Sequence, residues 1–325
     1  MKREPFMAAR RERWMRVDQI IAKLDHKKRD EKAPEVDAGE LPGLYRRVCQ
    51  DLALASRRAY GRELVSRLND LALRGREKLY RKPGHFARKA TDFVAFGFPR
   101  LVRENARLFW LAALLFYGPF LLMMLLAWIA PDALYAVLDP KTVAMIEDMY
   151  DPSNARIGRG RDSGSDVAMF GFYIQHNVGI AFQTFAGGVL YSLGSIFFLV
   201  YNGVLIGAIF AHLTRVGYYV TLYPFAVGHG SFELTAIVLS GMAGLKLGFA
   251  LLAPGRRSRA GALQEVGPQC AQLLCGCAGM LMIAAFIEGF WSPSGAPAAV
   301  KYAVGAMLWT LVTVYFVFVG RRRAA

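Results

Sequence analysis

Leu108–Ala130 reads LFWLAALLFYGPFLLMMLLAWIA, a run of 23 residues without one charged side chain. A helix rises about 1.5 Å per residue, so such a run reaches across the roughly 30 Å hydrocarbon core of a bilayer. In that core no water is present to satisfy backbone polar groups, and a helix pairs them all internally. The segment predicts a membrane-spanning helix, and the rest of the chain can be read outward from it.

The whole composition agrees. Of 325 residues, 54% are hydrophobic, 20% are charged and 32 are glycine, and the mean hydropathy is +0.27. Length alone suggests about two domains. The net charge of +15 would point to nucleic acid in a soluble protein. Its distribution sets that partner aside. Residues 1–107 hold 27 Lys/Arg against 15 Asp/Glu, whereas residues 108–325 hold 13 against 10. A basic front half joined to an apolar, glycine-rich back half describes an integral membrane protein with a cytoplasmic domain. Residues 1–30 contain no apolar core of the kind a cleavable signal peptide needs. Cys49, Cys270, Cys275 and Cys277 lack the paired spacing of a zinc ribbon and read as small helix residues.

Beyond the first span, the apolar block from about Val167 to Leu213 is long enough for two crossings, with Gly187, Gly188 and Gly194 marking the fold-back. Ser231–Ala253, Gly267–Phe290 and Ala298–Val319 bring the total to six. Lys and Arg are retained on the cytoplasmic side of short flanking segments. Six spans with both termini cytoplasmic put the basic N-terminal half, Arg256, Arg257 and Arg259, and the Arg321, Arg322, Arg323 tail on that side. The external loop Pro131–Asp166 then carries four basic and seven acidic residues. With a single crossing over Val167–Leu213, the arginine loop and the tail would both lie outside. The expected fold is therefore all-α: about six transmembrane helices (108–325), preceded by a lead-in (86–107) and a small cytoplasmic helical bundle (1–85).

In the front half, Phe6–Leu24 predicts one amphipathic helix through Trp14, Val17, Ile21 and Leu24. The charged, proline-containing stretch Asp25–Glu40 breaks the pattern. Leu41, Leu44, Val48, Leu52, Ala55 and Ala59 form a second stripe, and Leu64, Leu68, Leu71, Ala72 and Leu79 a third, the last stopped by Pro83-Gly84. Three short helices of this kind bury their stripes against one another. Phe86–Arg107 mixes Phe86, Phe93, Phe96 and Phe98 with Arg88, Lys89, Arg100, Arg103 and Arg107, which suits a helix in the headgroup region of an anionic leaflet. Membrane lipid is thus the first expected partner.

Small residues recur four apart at Gly203 and Gly207, and Gly244 and Gly248 share a helix with Gly241. Such faces let helix backbones approach closely, either within the chain or between copies in a homo-oligomer. Ionisable groups inside a span are costly, so each is a functional candidate. In the six-span reading His212, His229, Glu233 and Glu288 all lie near the external face, where the four could converge, while His176 and Asn177 sit halfway down the second helix. His229 and Glu233 are four apart and share a helix face if the helix extends back that far. That spacing can place an imidazole and a carboxylate on one metal ion. The leading reading is a structural polar cluster, with a His–Glu hydrogen bond fixing the helix start or Glu233 paired with Lys246 or an external arginine; a metal or proton site and then a substrate path come behind it. The preceding Pro224–Gly230 segment suits a re-entrant turn.

Chemistry has little sequence support. No Gly-x-Ser-x-Gly elbow, His-Glu-x-x-His helix or P-loop occurs, and no cofactor is called for. His229 with Glu233 is faintly similar to the His-x-x-x-Asn/Asp element of CAAX-type intramembrane proteases, but their Glu-Glu-x-x-x-Arg element is missing.

Taken together, the motifs resemble the stage II sporulation protein M family. In the front half the matching residues are Trp14, Tyr45-Arg46 to Asp51-Leu52-Ala53, Leu68-Asn69 with Leu71, and Phe98-Pro99 to Val102-Arg103. In the membrane half they are Asn202-Gly203 with Gly207, His229-Gly230 with Phe232-Glu233-Leu234, the glycines 241, 244 and 248, Pro254-Gly255, and Glu288. Where the family carries Asn-Asn in the second helix, this chain carries His176-Asn177. The resemblance implies a multi-pass protein of the bacterial inner membrane that does no chemistry itself. In spore formers the family member acts as an anchor for peptidoglycan-degrading partners. Relatives in bacteria that make no spores accompany a MoxR-type ATPase and RDD-type membrane proteins. The leading expectation is a non-enzymatic scaffold for envelope-remodelling proteins; a transporter or channel for an ion or lipid-linked precursor is the second, and an intramembrane hydrolase the third.

Overall fold

Apolar side chains at helical spacing draw the described residues among the first 80 into four α-helices around one small core. They are α1 (Arg3–Ala8), α2 (Arg11–Asp25), α3 (Leu41–Arg57) and α4 (Arg62–Tyr80). The computed structural model describes residues 3–25, 37–80, 85–154, 157–158 and 166–321, and among these no strand occurs. Pro83-Gly84, the middle of the Asp25–Glu40 stretch, Arg322, Arg323 and much of the loop before Asp166 lie outside the described residues. The chain divides into two compact units, Met1–Ala90 and Thr91–Ala325.

In the first unit Trp14, Val17, Ile21, Leu41, Val48, Leu64 and Leu68 are buried, as their spacing predicts. Two details differ from the periodicity. The Phe6–Leu24 helix is broken at Ala9-Arg10, because Phe6 turns inward onto Trp14 and Tyr60 (ring centroids 6.1 and 5.0 Å). Ala59 is exposed rather than part of the second stripe. It adopts a left-handed turn (φ 51°) that ends α3, and Tyr60 fills the core position instead. One polar group is buried among these helices: Asp51 accepts from Arg10 Nε (2.8 Å), Arg13 Nη1 (3.3 Å) and Trp14 Nε1 (3.0 Å).

The lead-in is not one continuous helix. It comprises α5 (His85–Asp92), a π-helical turn over Phe93–Gly97 and α6 (Phe98–Glu104), broken from α7 (Ala106–Ile129) at Asn105. Phe98 is buried in the space left by Gly276 and meets Phe316 edge-on at 5.4 Å. Arg103 Nη1 donates to the Phe316 carbonyl at 2.9 Å, and Tyr315 Oη donates to the Val94 carbonyl at 2.6 Å. These contacts seat α6 against protein helices. Burial beside Arg321 holds the Arg103 guanidinium below its ordinary pKa.

Past α7, helix α8 (Pro140–Tyr150) lies in the connecting segment, followed by α9 (Asp166–Ala186), α10 (Leu193–Arg215), α11 (Tyr219–Leu252), α12 (Arg259–Phe286) and α13 (Ala298–Phe318). Among the described residues, five helices are long and apolar enough to cross a membrane: α7, α10, α11, α12 with its following turn, and α13. At 21 residues α9 has the length for a crossing but carries Gln175, His176, Asn177 and Gln183. Helix α11 runs through the centre, 72% of its most apolar stretch being buried against 17% for α7 and α13. Trp110, Leu114, Leu121 and Leu125 on α7 remain exposed, as a lipid-facing surface requires. Helix α11 also begins twelve residues before the expected Ser231, so Pro224–Gly230 is continuous helix and not a re-entrant turn. Burial against its neighbours outweighs the poor helix propensity of Gly228 and Gly230.

The small-residue faces are used within the chain. A Cβ at Gly203 or Gly207 would run into the Phe116 and Phe120 carbonyls of α7. Gly241, Gly244 and Gly248 face Leu199, Ser195 and Ser192 with equally little room.

Contacts also define one end of the bundle. Ser192, in the α9–α10 turn, donates its Oγ to the Leu245 carbonyl (3.2 Å). The Arg259 guanidinium lies 5.5 Å from the Tyr191 ring, and Lys246 Nζ donates to Asn105 Oδ1 (2.6 Å). The start of α7, the α9–α10 turn and the α11–α12 loop thus share an end, the arrangement that two crossings between Asp166 and Arg215 demand. In a background without the four native cysteines, single cysteines at Arg256 and Lys141 are expected to react with impermeant maleimide from opposite membrane faces. Labelling of both from one face would break this topology.

Candidate functional site

The continuity of α11 through His229 decides the geometry at the other end of the bundle. With no break before Ser231, His229 and Glu233 lie one turn apart on the same face, His229 Nε2 standing 3.8 Å from Glu233 Oε2. The Phe225 ring meets the imidazole edge-on at 5.3 Å.

Glu288 arrives from a different element. Helix α12 ends in a π-helical turn over Ile287–Trp291, closed by Ser292 N–H donating to the Ile287 carbonyl (2.8 Å). Such turns re-aim side chains and recur at functional sites. Here the ligating atoms of His229, Glu233 and Glu288 all fall within 4.8 Å of one another. Asn177 of α9, 2% exposed, stands beside Glu288. The two side chains interact, yet Asn177 Nδ2 and Glu288 Oε2, both buried, make no hydrogen bond of ordinary geometry.

Further groups orient these. His229 Nδ1 pairs with Ser292 Oγ at 3.0 Å, and the Ser292 carbonyl accepts from the buried Lys301 Nζ at 2.7 Å. From outside the spans, α8 closes over this end. Thr221 Oγ1 donates to the Tyr150 carbonyl (2.5 Å), and Tyr173 Oη donates to the Gly158 carbonyl (3.0 Å). Burial, followed by the Glu288 carboxylate, Tyr173 and Glu233, raises the Tyr150 pKa well above its ordinary value, so that hydroxyl stays neutral. At the start of α8, Asp139 caps the helix through the Lys141 and Thr142 amides, and hydrogen bonds from Thr142 hold its carboxyl below the usual range.

The four-residue cluster expected from sequence resolves into two sites. His212 is drawn away by the connecting segment: its Nε2 meets Glu147 Oε1 at 2.8 Å and its Nδ1 meets Tyr135 Oη at 3.3 Å. Lys246 does not pair with Glu233, because thirteen helical residues separate them by roughly 20 Å and Lys246 binds Asn105. His176 is exposed and stacks on Phe172 (5.7 Å, 11° between planes), so Asn177 alone of that pair reaches the site. Asn202 donates to its own helix at the Phe198 carbonyl (2.7 Å). Gly230 lies buried within α11, where a Cβ would meet only Leu234 of its own helix. Ser292, Lys301, Tyr150 and Glu147 were not singled out from sequence. A lone charge opening the last span is the one signal that could have found Lys301. Nothing in the local pattern marks Ser292.

Two half-buried carboxylates this close strongly disfavour being charged together without a positive charge between them. The site can share a proton or hold a cation, and it lies within a helix bundle fit to cross a membrane. The fold and site define a multi-pass helical membrane protein with an acid–imidazole cluster inside its bundle. The family described as Stage II sporulation protein M matches residues 111–293, and the chain belongs to it. That match spans α7 through the Glu288 turn and therefore every residue of the cluster. A Domain of unknown function (DUF8413) matches residues 4–81, the four-helix core of the first unit. No curated protein and no solved structure matches the chain.

Proposed function

We propose that the protein is a non-enzymatic anchor of the bacterial inner membrane, with both termini cytoplasmic, that assembles envelope-remodelling proteins. The observation that carries this reading is how polar groups inside the bundle are spent. Ser192 Oγ and Ser195 Oγ each donate to a carbonyl of a neighbouring helix, while Thr184 Oγ1 and Asn202 Nδ2 donate within their own helices, so these groups are spent on holding the bundle together rather than on lining a path. The amino-terminal unit, with its own core, is then a recruiting element. A MoxR-type ATPase is the first cytoplasmic partner to test, as the family resemblance implies. Affinity purification of the full chain from native membranes is expected to recover a defined set of envelope proteins that a chain lacking residues 1–90 fails to recover. Identical recovery from both would remove the recruiting role.

Transport of an ion or a lipid-linked precursor is the second reading, favoured by the cluster of buried His229 with half-buried Glu233 and Glu288. Proteoliposome flux abolished by Glu233→Gln, with partner recovery unchanged, would replace the anchor reading with this one.

A further inference from the structure

We propose that His229, Glu233 and Glu288 form a binding site for one divalent transition-metal cation, zinc-like in its preference for mixed nitrogen and oxygen ligands, with the Asn177 side chain as a fourth ligand. Four observations meet here. The three ligating side chains come from two separate elements yet bring their atoms within 4.8 Å of one another. Tetrahedral ligands about 2.1 Å from a zinc ion lie about 3.4 Å apart, so small side-chain rotations close the site. The pair of carboxylates matches a dication in charge, which removes the cost of burying them.

The second observation is independent of the acidic residues. The Asn177 amide, 2% exposed, interacts with the Glu288 carboxylate, and its nitrogen makes no hydrogen bond of ordinary geometry. Amide nitrogen and oxygen are assigned from their surroundings. Rotation by half a turn presents the oxygen to a cation and removes that donor from the site. Glu288 Oε2, also buried without a hydrogen bond of ordinary geometry, gains a ligand in the same step.

Third, the imidazole is already oriented as a ligand. Metal-bound histidines pair their second ring nitrogen with a fixed polar group. His229 Nδ1 meets Ser292 Oγ at 3.0 Å, which leaves Nε2, the atom facing Glu233, to bind. Fourth, Glu288 lies on the π-helical turn at Ile287–Trp291, the kind of irregular helix that recurs at functional sites.

The test uses the full chain in detergent, purified without a polyhistidine tag, stripped with chelator, dialysed against Zn²⁺ or Mn²⁺ and analysed by mass spectrometry. About one metal ion per chain is expected. Glu233→Gln and Glu288→Gln should each lower occupancy at least tenfold. Glu147→Gln, which removes the carboxylate at the separate His212 pair, should leave it unchanged. Metal should also raise the melting temperature of the native chain and of Glu147→Gln but not of Glu288→Gln, which keeps the reading clear of misfolding. Ser292→Ala tests the positioning role, with metal affinity expected to fall about 10–100-fold. Wild-type protein that takes up neither metal would overturn the proposal, leaving a shared proton at the cluster. Equal occupancy in wild type and both cluster variants would do the same, as adventitious binding.

Discussion

Asp51→Ala is expected to loosen the amino-terminal unit by about 2–4 kcal/mol, the cost of stripping a buried carboxylate from its donors. The side chain is 6% exposed and sits between Arg10 and Arg13, 23% and 29% exposed. Those guanidiniums can turn partly to water when the carboxylate is lost, which discounts their share. Trp14 cannot follow. At 3% exposure its indole N–H, 3.0 Å from Asp51 Oδ2, is left without an acceptor in the core. A domain of this size is stable by only a few kcal/mol, so the loss is a large fraction of the whole. Hydrogen–deuterium exchange on the full chain should show α2 and α3 exchanging roughly a hundredfold faster, with α7–α13 unaffected. Asp51→Asn keeps one acceptor for Trp14 and should fall between. Unchanged exchange in Asp51→Ala would show that the unit does not depend on this carboxylate.

That contrast also marks what could be read from residues alone. Period and length carry most of the fold, because a span must be apolar over about 20 residues and a bundle helix must show one apolar stripe. The stripes through Trp14, Val48 and Leu68 and the ends of α13 follow from that. What periodicity misses is where local interactions override it. Phe6 folds back on Trp14 and breaks a helix whose pattern runs on without interruption. Pro224, Gly228 and Gly230 read as a turn, yet burial keeps them helical. Phe98 looks like an interfacial aromatic until Gly276, nearly 180 residues later in the chain, provides its seat.

The site was legible in part for a similar reason. Four-residue spacing makes His229 and Glu233 visible as a pair, since a helix turns their side chains to one face. Glu288 was identifiable as a costly intramembrane charge, but its convergence on that pair depends on a π-helical turn that leaves no periodic trace. His212 has the same cost and a similar depth, and went elsewhere because Glu147 lies in a connecting segment whose path no spacing rule predicts. Sequence therefore marks the expensive groups, while the irregular backbone decides which of them meet.

Gly188→Ala and Gly244→Ala are expected to destabilise the membrane unit, each by about 1–3 kcal/mol or more, although alanine is the better helix former. A Cβ on Gly188 would overlap the Gly244 carbonyl, and one on Gly244 would meet the Ser195 hydroxyl and the Thr184 and Phe185 carbonyls, at 2.9 and 2.8 Å for the last two. These neighbours are mostly backbone, which cannot rotate aside, so the helices themselves must separate and overpacking costs accordingly. Gly171, Gly179 and Gly279 provide the internal control, since a Cβ there meets nothing within 4 Å. Alanine at those positions should be neutral or stabilising by up to about 1 kcal/mol, from helix propensity alone. The same substitution thus has opposite expected signs at two classes of position, and thermal unfolding in detergent reads the difference directly. Because Gly188 and Gly244 share one contact, the double variant should cost less than the sum of the singles. Equal melting temperatures across both classes would mean that the α9–α10 turn does not pack on α11, and the topology resting on that contact would lose its support.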